Sequence, residues 1–346
     1  MVFDHSEFDN HEQVVFCHEA VTGLRGIIAI HSTALGPAAG GFRMYPYASD
    51  DDALTDVLRL SRGMSYKNAV AGLPLGGGKT VVVADPATEA KQDLLRAMAG
   101  FVQELGGRYW TSIDVGVGPA DADVLAERCN FVFGRASEFP EGFNPAEFTA
   151  RGGLAGVRAV ARKVLGRSDV GGVRVAVQGL GSAGGRLCRL LHEAGAELVV
   201  ADVAEAAVAS AVEDYGATAV DPGVIHAQDV DVFAPCALGA VLNDATVPEI
   251  RARAVCGLAN NQLAEPHDGL ALHERGITYV PDYVVNAGGM IGASGAILGP
   301  QDHEDALRRI DELETTIGEI LSEAASSGRA PFEIADELAR ARIEGS

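Results

Sequence analysis

The stretch 173–203, VRVAVQGLGSAGGRLCRLLHEAGAELVVADV, constrains the fold more than any other part of the sequence. An apolar run, Val173–Gln178, enters a glycine turn, Gly179-Leu180-Gly181-Ser182-Ala183-Gly184. A helical segment, Arg186–Glu193, follows; Gly195 closes it and a second apolar run, Glu197–Ala201, comes next. Two such runs joined by a helix pair in parallel through a right-handed crossover, which commits the chain to the α/β class with a doubly wound sheet. In G-x-G-x-x-G the first glycine makes the tight turn, the second lets backbone approach a pyrophosphate, and the third permits close helix–strand packing. Asp202, 21 residues beyond Gly181, stands where a ribose-binding carboxylate belongs. The Val-Ala-Glu after it supplies no cation for a 2′-phosphate, so the pattern favours NAD over NADP. A glycine turn without ligand is the plainer alternative, but strand, helix and acid stand together here.

At 346 residues the chain is long enough for about two domains. Later runs, Asp229–Ala234, Ala254–Leu258 and Thr278–Val280, continue the strand rhythm, and Ala204–Tyr215 reads as a helix stopped by Gly216. The first third differs. Val14–Cys17 and Gly26–His31 read as neighbouring strands and residues 49–64 as a helix capped by Ser49. Gly76–Gly78 read as a turn feeding a buried strand over Thr80–Ala84, with a helix over 90–105 and a strand in RYWTSIDVG after it. Tyr109 and Trp110 fit core positions of that strand. Residues 134–153, with two prolines and four glycines, read as a linker. From His303 onward a helical face carries Ile310, Leu313, Ile317 and Leu321.

Composition removes several function classes. With 27 basic against 48 acidic residues, a net of −21, the surface repels nucleic acid and anionic membranes. No apolar run reaches the ~18 residues of a membrane helix, and MVFDHSEFDNHEQ is unlike a signal peptide, so the expected location is the cytoplasm. The five cysteines form no CxxC pair, and the nine histidines show no metal-ligand spacing. No metal is expected.

The segment GLPLGGGKT at 72–80 approaches a phosphate-binding loop, but that motif needs Gly at position 73, where this chain has Leu73, and Pro74 lacks an N–H. Lys67 lies twelve residues before Lys79. Two ammonium groups sharing one site would favour a neutral base beside a charged carboxylate anchor. From spacing alone two unrelated surface lysines are the better reading, and Asp114 reads by type and spacing as an ordinary strand-end residue rather than an acid–base partner.

Several segments together carry a resemblance: GPAAGGFRMYPY, LRLSRGMSYKNAVAGLPLGGGKTVV, GRYWTSIDVG, VAVQGLGSAG, DVFAPCALGAVLND, GLANNQL and PDYVVNAGG. In that order they resemble the Glu/Leu/Phe/Val dehydrogenase family, over nearly the whole chain and by length closest to its leucine, valine and phenylalanine branch. The resemblance implies reversible oxidative deamination of an L-amino acid to a 2-oxo acid, ammonia and NADH. It implies that Lys67 binds the substrate carboxylate, Lys79 activates water and Asp114 exchanges protons with the substrate nitrogen. Gly40, Gly41, Gly76 and Gly77 would bring backbone to the substrate, with Ala39, Asn261 and Met290 beside it. Thr149, Asn260, Asn286, Cys236 and Ala237 would contact the cofactor, with Gly179, Gly181, Ser182, Ala183, Gly184 and Asp202.

The implied organisation is a substrate and oligomerisation domain over 1–135, a Rossmann NAD domain over 136–324, and a C-terminal helix from about 325 to 346 returning to the first. The implied assembly is a homo-oligomer whose domains close on the substrate. Ala39, Phe42, Met290 and the GASGAILG stretch around Gly295 depart from the family pattern at positions expected near the side-chain pocket. No Lys or Arg there awaits a side-chain carboxylate, so an apolar, branched-chain or aromatic substrate is expected. The alternative is an NAD-binding protein of this fold with little turnover and a sensing role.

Overall fold

The computed structural model describes residues 2–139, 144–299 and 303–345. The chain divides into two compact units: Met1–Phe143 with Ala293–Pro300 and Ala339–Ser346, and Asn144–Gly292 with Gln301–Leu338.

The first unit is built on a five-stranded mixed sheet. Its strands are β1 (Gln13–Glu19), β2 (Leu24–Ser32), β3 (Ala38–Tyr45), β4 (Gly76–Val83) and β5 (Tyr109–Ile113), in the order β1-β2-β4-β3-β5. β1 and β2 are an antiparallel hairpin, β2 runs antiparallel to β4, and β3 runs parallel to both β4 and β5. Helix α1 (Asp50–Val70) covers one face, where Leu54, Val57 and Leu58 join Ile27, Ala29 and Val81. Helices α2 (Lys91–Glu104) and α3 (Pro119–Ala126) supply the apolar cluster on the other, with Phe42, Met44, Leu95, Met98 and Tyr109. Ser49 caps α1, its hydroxyl accepting from the Asp52 amide at 3.1 Å, and three aspartates in the first turn complement the helix dipole. The helix runs six residues past the expected Met64, which places Lys67 in its last turn.

The glycines before Lys79 are not a turn; they are the first residues of β4. A Cβ on Gly77 would lie 2.0 Å from the Ser65 amide nitrogen of α1, and one on Gly76 2.0 Å from the Ser32 carbonyl of β2. A Cβ on Gly78 would meet the Tyr109 ring at 2.6 Å. Side chains are absent because backbone and ring occupy the space.

Helix α4 (Ala146–Lys163) opens the second unit and takes up the end of the expected linker. Residues 140–143 of that linker lie outside the described residues. The unit's six-stranded sheet is parallel throughout. It comprises β6 (Arg174–Gln178), β7 (Glu197–Ala201), β8 (Thr218–Ala219), β9 (Val232–Pro235), β10 (Ala254–Val255) and β11 (Thr278–Tyr279), in the order β11-β10-β9-β6-β7-β8. Counted within the unit this is 6-5-4-1-2-3, the doubly wound dinucleotide fold, whose order reverses between β6 and β9. Helices α5 (Ser182–Glu193), α6 (Glu205–Tyr215) and α7 (Pro266–Glu274) connect strands. Gly216, at φ 64°, ends α6 in the left-handed region.

Short helices α8 (Asp282–Val285), α9 (Gly288–Ala293) and α10 (Gly295–Leu298) follow β11. Then come α11 (His303–Asp311), α12 (Leu313–Ser327) and α13 (Pro331–Glu344). Ile310, Leu313, Ile317 and Leu321 are buried, as their spacing required. The stretch returning to the first unit begins at Ala339, inside α13. There Arg340 Nε donates to the Tyr66 hydroxyl at 2.8 Å, and Arg342 Nη1 donates to the Ala69 and Val70 carbonyls, each at 2.8 Å. The open carbonyl end of α1 is thus capped by a guanidinium.

Candidate active site

Strand alternation decides which residues of β3 and β4 meet. Ala39, Gly41 and Arg43 share one face of β3, while Phe42 points to the other. Lys79 lies opposite Ala29, and its ammonium forms a salt bridge with Asp114, just past the end of β5. Lys79 is buried and Asp114 largely so, with side chains 7% and 13% exposed. Gly41 adjoins them: a Cβ there would lie 2.8 Å from the Asp114 Cβ and 3.0 Å from Lys79 Nζ. Its missing side chain is what lets the ion pair form at this point of the sheet. Burial works to raise the Asp114 carboxyl, but the Lys79 ammonium and then the Arg43 guanidinium hold it well below the usual carboxylate range.

Arg43, Asp56 and Tyr47 complete the cluster and were not singled out from the sequence. Arg43 Nε donates to Asp114 Oδ2 at 3.2 Å, and Arg43 Nη1 donates to Asp56 Oδ2 at 2.9 Å. The Tyr47 hydroxyl donates to the same Asp56 oxygen at 2.5 Å. The signal available beforehand was the two-residue period of β3, which puts position 43 beside Gly41.

The other expected substrate residues fall into two groups. Gly40, Gly76 and Gly77 are buried and accounted for by packing; a Cβ on Gly40 would lie 1.9 Å from the Gly78 carbonyl. Ala39 is fully buried. Lys67 is half-buried, about 16 Å along α1 from Asp56 at 1.5 Å per residue. Phe42 corrects an expectation: it is fully buried in the cluster of Leu95 and Met98, on the face of the sheet away from Lys79. Its neighbours Gly41 and Arg43 take the site-facing positions, so alternation sends its ring into the core.

In the second unit the glycine turn is formed at the switch point. Gly179 has φ 97°, and a Cβ on it would meet Ala237 at 2.7 Å. Gly184 packs against the Gly179 carbonyl and Cys236 Cβ. Gly181 has open space around it, at the head of α5, where a pyrophosphate would be received. Ser182 and Ala183 form the first turn of that helix, and Arg186 folds back to donate to the Ser182 carbonyl at 2.6 Å, bringing a cation to this end. Asp202 Oδ2 accepts from the Leu180 amide at 2.5 Å and Oδ1 from the Ala204 amide at 2.8 Å. Each oxygen retains acceptor capacity for a ribose hydroxyl.

Beyond the turn, Asn286 Nδ2 donates to Asn260 Oδ1 at 2.9 Å and to the Leu258 carbonyl at 3.2 Å. Asn286 Oδ1 is buried with no hydrogen-bond partner. A buried orphan acceptor just past the carboxyl end of β10 suits a carboxamide N–H. Thr149, on α4, faces Gly289, where a Cβ would lie 2.7 Å from its hydroxyl. Asn261 has a left-handed φ of 52° and donates its amide to Asp282 Oδ2 at 2.6 Å, while Met290 is half-buried on α9. The open Gly181, the free lone pairs of Asp202 and the orphan Asn286 oxygen together fit a nicotinamide dinucleotide.

Elsewhere, Asp244, His267 and Asp268 bring three ligand-type atoms within 4.8 Å of one another. His267 pairs with Asp244 at 3.1 Å, and Asp268 Oδ2 accepts from the Glu265 amide at 2.8 Å, as a helix cap does. Among the described residues no helix is long and apolar enough to cross a membrane.

Comparison with known proteins agrees with this arrangement. The family profile described as Glu/Leu/Phe/Val dehydrogenase, dimerisation domain, matches residues 11–131. That of Glutamate/Leucine/Phenylalanine/Valine dehydrogenase matches residues 200–317. Leucine dehydrogenase of Geobacillus stearothermophilus is 45% identical over 343 residues, covering 99% of this chain and 93% of that protein. Valine dehydrogenase of Streptomyces virginiae is 44% identical over 342 residues, covering 98% and 95%. The crystal structure of L-tryptophan dehydrogenase from Nostoc punctiforme superposes with a TM-score of 0.85 at 41% identity, covering 97% of this chain and 96% of that one. With full-length matches in sequence and in fold, the chain belongs to the Glu/Leu/Phe/Val dehydrogenase family of oxidoreductases.

Proposed function

We propose that this enzyme catalyses the reversible, NAD-dependent oxidative deamination of an apolar L-amino acid, branched-chain or aromatic, to the 2-oxo acid, ammonia and NADH. The observation that carries the reading is the buried Lys79–Asp114 pair beside the side-chain-free Gly41. When bound, the oxidised nicotinamide supplies the acceptor for the hydride on the substrate Cα. Lys67 anchors the substrate carboxylate by charge. At alkaline pH, with Lys79 neutral and Arg43 the cation that remains on it, Asp114 enters ionised and accepts a proton from the substrate nitrogen as the C=N bond forms. Lys79 in its neutral form takes a proton from the water that adds to the imine carbon. Collapse of that adduct returns a proton to nitrogen, expels ammonia and leaves the 2-oxo acid.

Thr149, Asn260 and Asn286 would hold the nicotinamide carboxamide, and the turn from Gly179 to Gly184 with Cys236 and Ala237 the pyrophosphate. NAD is preferred over NADP because Asp202 is followed by Val203, Ala204 and Glu205, with no cation for a 2′-phosphate. Ala39, Asn261 and Met290 would border the substrate. An apolar pocket distinguishes one methylene by only ~1–3 kcal/mol, so several apolar amino acids should be turned over. The five free cysteines suit a reducing cytoplasm. The match to a dimerisation domain supports a homo-oligomer.

The test is NADH absorbance at alkaline pH, with NAD and a panel of Leu, Val, Ile, Met, Phe, Tyr, Trp and Glu. Turnover of an apolar subset, lost in Lys79→Ala, is expected. Turnover of Glu alone, or of none while NADH still binds, would overturn the proposal.

A further inference from the structure

Asp114 Oδ2 is shared by two cations of different chemistry. Lys79 contacts it from β4 and Arg43 from β3 at 3.2 Å. The ammonium can lose its proton; the guanidinium cannot at any working pH. Arg43 is itself fixed from behind by Asp56 of α1 at 2.9 Å, and Asp56 is aimed by the Tyr47 hydroxyl at 2.5 Å. Burial and then Asp56 push the Tyr47 phenol up, so it remains a donor. The groups that act on one another here are Lys79, Asp114, Arg43, Asp56, Tyr47 and, through Asp114, Tyr109 of β5.

A lone buried Lys–Asp pair makes a poor base. If the lysine gave up its proton, the carboxylate would be left buried and uncompensated, which is costly. A second, permanent cation on the same oxygen removes that obstacle. We infer that Arg43, held by Asp56 and Tyr47, is a positioning residue that keeps Asp114 ionised and compensated while Lys79 passes between its charged and neutral forms. The inference rests on the assignment of Lys79 as base under the proposed function. It adds that the base works because its counter-ion has another partner.

The experiment compares full-length wild type with Arg43→Gln, Arg43→Lys, Asp56→Asn and Tyr47→Phe, each checked by thermal unfolding. Without Arg43 the Lys79–Asp114 pair holds its proton more tightly. In Arg43→Gln the alkaline rise of kcat/KM for deamination should move up by about one pH unit, and kcat should fall roughly 10- to 100-fold with little change in KM. Arg43→Lys restores a cation and should return the pH profile toward wild type, with part of the rate. Asp56→Asn and Tyr47→Phe should shift it the same way as Arg43→Gln, by less.

A wild-type pH profile in Arg43→Gln, or Arg43→Lys no better than Arg43→Gln, overturns the inference and leaves Arg43 a structural residue. A second readout does not depend on turnover: acetylation of Lys79 by acetic anhydride, followed against pH by peptide mass spectrometry. Its midpoint should lie higher in Arg43→Gln than in wild type; superposable curves overturn the inference. Absence of turnover in wild type, by contrast, counts against the proposed function alone.

Discussion

Gly76–Gly78 and Gly179–Gly184 look alike as strings of letters and do opposite things. In the first unit the glycines lie flat in β4, and every Cβ that might be added strikes backbone or ring at 2.0–2.6 Å. In the second, Gly179 bends backward at φ 97° and Gly181 has empty space beside it. One run is glycine because a strand, a helix and a ring each come close to it; in the other, Gly179 and Gly184 are pressed by Ala237 and by the turn itself, and Gly181 faces open space. The difference teaches that glycine marks close approach, and only the surroundings say of what.

The sharpest break between the two regions is expected from Lys79→Ala. Turnover should fall ~10²–10⁴-fold while NADH binding, measured by fluorescence, stays intact. Loss of both together would undo the division of labour. Next is Gly77→Ala, whose methyl meets the Ser65 amide at 2.0 Å; it should cost about 3 kcal/mol in urea unfolding because α1 must move off the sheet.

His31 adds a pH dependence to the same region. It lies at the irregularity of β2 between Ile30 and Ser32, with Nδ1 2.8 Å from the Ser65 hydroxyl. Burial and then His11 push its imidazole down to about 4, against the pull of Asp9. The folded protein holds it neutral while the unfolded chain takes up a proton below 6.5. Stability should therefore decline as pH falls from about 6.5 to about 4, by roughly 2–3 kcal/mol. Unfolding of His31→Asn across this window should lack that slope. The smallest effect is expected from Gly181→Ala in the open turn. Stability should stay within ~0.5 kcal/mol while NADH binding weakens roughly tenfold in a titration, the reverse of the Gly77 result.

These contrasts also explain what could be read from the residues. The second unit was legible because its signals are local: strand, turn, helix and acid follow one another within 30 residues. The hairpin of β1 and β2 and the capped α1 were legible for the same reason. The glycines of β4 look like a turn in the sequence because the neighbours that require them, Ser32, Ser65 and Tyr109, are brought there only by the tertiary fold. Part of the expected linker is the start of α4, whose glycines pack against neighbours: a Cβ on Gly152 would lie 2.5 Å from the Val285 carbonyl. Lys79 and Asp114 were found by resemblance, since nothing in their spacing brings β4 and β5 together. Arg43 carries no signal of its own in GPAAGGFRMYPY, because its partners Asp56 and Asp114 lie 13 and 71 residues away.

The cap that Arg342 places on α1 bears on how the protein is made. Its guanidinium reaches carbonyls 272 and 273 residues earlier in the chain. During synthesis the helix that carries Lys67 therefore emerges from the ribosome with its end open, and it stays open until the whole dinucleotide unit has been translated. At ~5–20 residues per second that interval lasts roughly 14–55 seconds. Through all of it the carbonyl end of α1 waits for the guanidinium that closes it.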